Sequence, residues 1–335
     1  MGQTQGVKSL VSGAVIYAIS ALVSVAVGLL IVPLYTAAFA PAEYGVLSQF
    51  SVTTALAAVL ISFGLDNSAA VWFFQHPEED DRRKTFSSWL AFVLVVGAGL
   101  GLIALISSSL LARFVLHDEA LAPLWRVYAV TLVLAGIPRI GSLWFRNSNR
   151  PLVSALLSLT ITAMTGFFGA GLVTLTSLGL MGALLGQVIG LGLGALTTLV
   201  LMRAVLRPRW VDRTRLTEML RFSYPLVGVA VLTWLMNSAV LFWVNQFCSR
   251  ADAGLYSVGA SLAGEISLAT FAFAQAWSPF ALSLGQTEQA SRTIGYATET
   301  YFAVMVVAAV VLSAFALPVL QLLPREVYAQ SHWVT

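Results

Sequence analysis

Nine stretches of roughly 20 or more apolar residues, joined by short connections, decide what this chain can be. A helix crossing the ~30 Å hydrocarbon layer must satisfy its backbone within itself and needs ~20 apolar residues. On that rule the spans fall at 10–35, 46–73, 87–115, 121–145, 152–173, 178–202, 222–246, 255–283 and 294–323. Of the 335 residues, 58% are hydrophobic and 10% charged, against ~45–50% and ~25% in soluble domains. A water-soluble enzyme and a disordered chain are both excluded. The single cysteine, Cys248, excludes a disulfide framework and a thiolate metal site. A net charge of +3 leaves no electrostatic footprint for nucleic acid. The expected class is an all-α polytopic membrane protein.

Orientation follows from the basic residues beside each span. Thirteen lie on one side: Lys8, Arg82, Arg83, Lys84, Arg146, Arg150, Arg292 and the six arginines between Arg203 and Arg221. Four lie on the other: Arg113, Arg126, Arg250 and Arg325. The amino terminus is therefore expected in the cytoplasm.

The connection Ala42-Glu43-Tyr44-Gly45-Val46-Leu47-Ser48 is echoed by Ala251-Asp252-Ala253-Gly254-Leu255-Tyr256-Ser257 at an offset of 209. A second, weaker echo at an offset of 207 relates His117–Ala122 to Arg325–Ala329. The offset covers six spans, an even number, so the two copies run the same way through the membrane. Two parallel six-helix repeats are one of the transporter architectures. Residues 1–202 then form a first lobe, 203–221 a basic linker, and 222–335 three helices of a second lobe. By the repeat, three spans of that lobe are lacking, and a complete version would run roughly 75–80 residues longer.

Several runs carry a family resemblance. Pro41-Ala42-Glu43-Tyr44-Gly45-Val46-Leu47-Ser48 resembles the first periplasmic turn of bacterial polysaccharide exporters, and Phe63-Gly64-Leu65-Asp66-Asn67 their second helix. Leu220-Arg221-Phe222-Ser223-Tyr224-Pro225-Leu226 resembles the start of their seventh. Ala253-Gly254-Leu255-Tyr256-Ser257-Val258-Gly259 and Ala276-Trp277-Ser278-Pro279-Phe280 resemble the two ends of their eighth. The ordered set is similar to the Wzx-type lipid-linked oligosaccharide flippases, within the MOP superfamily that also holds the MATE drug exporters and the lipid II flippases. The resemblance implies a MATE-like fold and movement of an undecaprenyl-diphosphate-linked sugar unit from the cytoplasmic to the periplasmic leaflet. It also implies a place in the bacterial inner membrane. H+ or Na+ and the polysaccharide polymerase and chain-length machinery are the further partners it suggests.

Charges inside spans are costly in hydrocarbon and so are candidates for function. Arg139, beside Pro138 in the fourth span, either contacts a diphosphate or snorkels to the headgroups beside Arg146. Arg126 lies one turn inside the opposite end, where snorkelling is the simpler reading. Asp66 and Asn67 fall in the cytoplasmic third of the second span, and at the 209 offset Asp66 corresponds to Gln275. Polar side chains at one depth in both lobes would line a central cavity. Asp66 paired with Arg139 would instead lock two helices. Glu265, alone in the eighth span, is either a coupling site neutralised by a proton or cation, or a hydrogen-bonded carboxyl.

The glycine stripe at 182, 186, 190 and 194, and the pair Gly97 and Gly101, read as helix-packing surfaces. Asn237, Asn245 and Gln187 read as hydrogen-bonding links between helices. Pro33, Pro138, Pro225, Pro279 and Pro318 mark expected kinks. His76, His117 and His332 are scattered through connections and make no metal or catalytic cluster. No cofactor is expected. The principal alternative is a cation-coupled multidrug or metabolite exporter of the same superfamily, which would line its cavity with acids and aromatics. A membrane glycosyltransferase or polymerase would need a long catalytic loop, and the longest connection, 203–221, holds only Asp212 and Glu218 as acids. A transporter, not an enzyme, is expected.

Overall fold

The computed structural model describes residues 16–264 apart from 17, 18, 21, 25, 29 and 77, then 288–321, 323, 328, 330 and 331. Among the described residues there is no strand. Twelve helices follow in order: α1 (Leu22–Ala38), α2 (Pro41–Ser62), α3 (Leu65–Gln75), α4 (Glu79–Ile106), α5 (Ser108–Val115), α6 (Ala122–Leu134), α7 (Ile137–Asn147), α8 (Pro151–Leu175), α9 (Leu180–Leu201), α10 (Arg213–Phe247), α11 (Arg250–Gly264) and α12 (Glu288–Gln321). Seven segments are long and apolar enough to cross a membrane: Pro41–Gln75, Glu79–Ile106, Glu119–Asn147, Pro151–Leu175, Leu180–Leu201, Arg213–Phe247 and Ile294–Pro318. They coincide with seven of the nine expected spans. Much of the first span and residues 265–283 of the eighth lie outside the described residues.

Helix ends follow from local chemistry. Pro41 opens α2, where its missing N–H costs nothing, and the Glu43 carboxylate accepts the Ala40 N–H at 2.8 Å. Asp212 caps α10 by accepting the N–H groups of Thr214 and Arg215. Residues 213–221 of the expected linker are therefore the first turns of α10. The rest of that linker is stitched to α4 by two buried serines. Ser87 donates to the Val205 carbonyl at 3.0 Å and accepts the Arg207 N–H, while Ser88 donates to the Asp212 carbonyl and accepts the Asp212 N–H at 2.9 Å.

Two ends of the bundle are thereby defined. Arg82, Arg83, Lys84 and the linker arginines share one, where Arg215 also reaches Asp81 at 3.2 Å. We call this the basic end. At the other, Asn245 of α10 donates to the Val115 carbonyl at 2.8 Å, and Arg250 pairs with Asp118 at 3.5 Å.

The core lies among α2–α7, where Phe50, Trp125 and Tyr128 interlock and the Tyr128 hydroxyl shares a hydrogen bond with Thr54. Outside it, Val95, Ile106, Phe167, Leu175 and Met236 are exposed. Faces this apolar mark contact surfaces for membrane or protein. The glycine stripe packs as expected: a Cβ on Gly186 would lie 2.2 Å from Gly169 Cα on α8, and one on Gly190 would lie 2.2 Å from Thr165 Oγ1. Gly97 and Gly101 seat against the α6 carbonyls of Leu132 and Ala129. Proline marks one interruption, where Pro138 lies in the first turn of α7, and not the other. α10 and α12 run as helix through Pro225 and Pro318, whereas the second span breaks at Phe63-Gly64, where there is no proline.

Candidate functional site

The break at Phe63-Gly64 builds the site. Both residues take left-handed backbone, with φ of 46° and 69°, a conformation that glycine adopts without a Cβ penalty. A helix interruption at membrane depth frees backbone groups that need partners. Phe63 N–H returns to the Val59 carbonyl at 2.9 Å. The Gly64 carbonyl accepts both Asn67 N–H and the hydroxyl of Ser223 on α10, each at 3.0 Å. The chain then restarts as α3, with Asp66 and Asn67 in its first turn. The fourth span is interrupted alongside, between α6 and α7. Gly136 there is pressed against Val93 and Ile61, and Arg139 sits in the first turn of α7.

The two interruptions face one cavity of about 230 Å³, bounded by α2, α3, α7 and α10. Asp66, Asn67 and Arg139 line it, with Ser62 from α2 and Leu226 and Ala230 from α10. Arg139 and Asp66 form an ion pair across it. The Asp66 carboxylate neutralises the Arg139 charge inside the bundle. A smaller cavity of about 60 Å³ abuts it, sharing Arg139, Ala58 and Ser62 and reaching Trp89.

The expected site residues separate cleanly. Asp66, Asn67 and Arg139 come together. Arg126 does not: it is exposed on α6, away from the cavity lining, with its Nε donating to Ser108 Oγ at 3.4 Å. Glu265 and Gln275 lie outside the described residues. Asn245 links α10 to the end of α5 as expected, but Asn237 is exposed and, among the described residues, bonds its own helix at the Thr233 carbonyl. Sequence reasoning passed over three groups that zip α10 to the second span. These are Gln49, buried and donating to the Leu241 carbonyl at 3.1 Å; Trp234, donating to the Val52 carbonyl at 3.2 Å; and Ser223. Gln49 had a signal, a long amide inside an apolar run.

At the end opposite the basic one the two copies of the repeated motif meet. A Cβ on Gly45 would lie 1.9 Å from the Arg250 carbonyl oxygen, and one on Gly254 would lie 2.0 Å from the Pro41 carbonyl oxygen. Residues 41 and 250, like 45 and 254, differ by 209. The contact is reciprocal, as at a local two-fold axis. Beside it, Tyr328 donates to the Phe39 carbonyl at 3.0 Å and packs edge-on to Tyr44.

An all-helical bundle with apolar outer faces, seven segments long and apolar enough to cross a membrane, and a polar-lined cavity beside a broken span define a multi-pass membrane protein. The polysaccharide biosynthesis protein family matches residues 38–329, and the chain belongs to that family. No curated protein matches it by sequence. Its fold is that of the MATE transporters of the MOP superfamily. It is similar to an inward-facing multidrug resistance MATE transporter, with a TM-score of 0.73 and 14% identity over 92% of this chain and 75% of that one. A mutant Vibrio cholerae MATE transporter aligns with a TM-score of 0.62 and 16% identity, over 98% and 77% of the two chains. A MOP superfamily transporter from Pyrococcus furiosus, whose reversed pocket polarity suggests a different function for it, aligns with a TM-score of 0.55 and 16% identity, over 96% and 75%.

Proposed function

We propose that the protein flips an undecaprenyl-diphosphate-linked oligosaccharide from the cytoplasmic to the periplasmic leaflet of the bacterial inner membrane by alternating access. The carrying observation is Arg139, lining with Asp66 and Asn67 a cavity bounded by α2, α3, α7 and α10. A polyprenyl tail stays in the bilayer while its anionic, hydrated head needs a polar cavity with a cation to enter. A guanidinium suits phosphate oxygens better than an ammonium because its planar fork donates two hydrogen bonds at once. The basic end then faces the cytoplasm, as the excess of arginine there argues. Residues 1–202 and 222–335 act as the two lobes, joined by 203–221. Pocket polarity differs among transporters of this fold, as the Pyrococcus furiosus protein illustrates, so substrate class follows from the charges of this cavity. Asp66 is the observation on the side of a cationic-drug exporter.

The test is deletion of the gene in its host, in a strain lacking a redundant flippase, followed by an assay of which leaflet holds the undecaprenyl-linked oligosaccharide. Cytoplasmic accumulation, reversed by the gene, supports the reading; an unchanged distribution moves the assignment to the exporter. In the same assay Arg139→Ala is expected to lower export by about tenfold or more, the effect of removing one charge-assisted contact. Arg126→Ala is expected to stay within about twofold, as for an exposed interfacial charge. Equal activities at equal expression would remove Arg139 from headgroup binding.

A further inference from the structure

Among the described residues Arg139 is the one cation lining the 230 Å³ cavity, and it is already engaged by Asp66. The two side chains differ in exposure: 53% for Arg139 and 20% for Asp66. A guanidinium carries five N–H donors, and among the described residues Asp66 is its one hydrogen-bond partner. Most of the fork therefore faces the cavity while the pair is intact. A half-exposed pair contributes little to stability, and two charges in apolar spans are expensive to keep. Apolar side chains of similar size would hold α3 and α7 together at least as well. The pair is better explained by what happens when an anion arrives.

We infer that Asp66 is a displaceable internal counterion. It occupies the anion site on Arg139 while the cavity is empty and gives that site up to the diphosphate of an entering lipid. This deepens the flippase reading and rests on it. Carboxylate and phosphate oxygens compete for the same donors, and a diphosphate brings more charge and more acceptors to them. Self-occupation lowers apparent affinity by the fraction of time the site is free. It also gives Arg139 a counterion to return to when the headgroup leaves, so release does not strand a bare cation. The two members of one ion pair thus act on binding with opposite sign, which a helix-locking pair would not do.

The experiment titrates farnesyl diphosphate against the full chain in detergent, reading binding and thermal stabilisation, with farnesol as the uncharged control. Asp66→Asn is expected to bind farnesyl diphosphate about two- to fivefold tighter, the release of a weak exposed pair. Arg139→Ala is expected to bind it about tenfold weaker. Farnesol binding should follow neither substitution. Asp66→Ser is the second variant and should match Asp66→Asn. If the Asp66 variants bind farnesyl diphosphate no tighter than wild type, or if neither folds, the pair is structural and the inference is overturned while the transport reading stands. A wild-type protein that does not bind farnesyl diphosphate overturns both.

Discussion

Replacing Gly45 with valine is expected to open the end of the transporter opposite the basic linker. The Gly45 Cβ position lies 1.9 Å from the Arg250 carbonyl oxygen, a backbone atom that no rotamer change can move aside. α2 and α11 must separate, and with them the contacts that share this end, Tyr328 on the Phe39 carbonyl and Arg250 on Asp118. Gly254→Val should do the same, because its Cβ meets the Pro41 carbonyl oxygen at 2.0 Å in the reciprocal half of the contact. The double variant should add little to either single one, since both disturb one interface. The measurement is labelling by a membrane-impermeant maleimide in a Cys248→Ser background carrying Ser48→Cys. Ser48 is buried one turn inside the contact. Labelling from the side opposite the basic end should rise about tenfold, a shift of ~1.4 kcal/mol in the open population. Gly228→Val is the control, since no atom lies within 4 Å of its Cβ position. Unchanged labelling in both glycine variants would show that this contact does not govern access.

Gly186→Leu is expected to have the larger effect on stability. α8 and α9 approach so closely that a Cβ at 186 would fall 2.2 Å from both the Cα and the N of Gly169. Four carbon atoms cannot enter there without parting the helices along the whole stripe from Gly182 to Gly194. The cost should reach about 3 kcal/mol, the upper part of the overpacking range. A sharp fall in expression and a lower unfolding temperature in detergent should report it. Gly171→Leu, on the same pair of helices but in open space, should leave both unchanged. Unchanged stability of Gly186→Leu would place the stripe against lipid instead.

The two expectations differ in how far the sequence could have carried them. The glycine stripe repeats every fourth residue, so its common face was legible along one helix. Gly45 and Gly254 were legible as corresponding positions, but nothing in a linear offset says that the two copies touch. Asp66 and Arg139 were legible as charges misplaced in apolar spans. Their pairing was one reading of two, because it depends on how α3 and α7 lie across 73 residues of chain. The break at Phe63-Gly64 was hidden. A single glycine in an apolar run is ordinary, and the acceptor it exposes is answered by Ser223, 159 residues away.

The one-dimensional properties of the chain therefore determined its class: spans, the asymmetry of its arginines, and the repeat. Each follows from local physics, since a membrane helix satisfies its own backbone and needs only enough apolar length. What remained for the tertiary structure was everything that depends on a neighbouring helix. Which glycine abuts which carbonyl, where a broken span finds its partner, and whether an arginine meets a carboxylate or a headgroup are all set by helix separation and rotation. In hydrocarbon those are governed by close packing and a few polar contacts, and both are invisible until the helices are brought together.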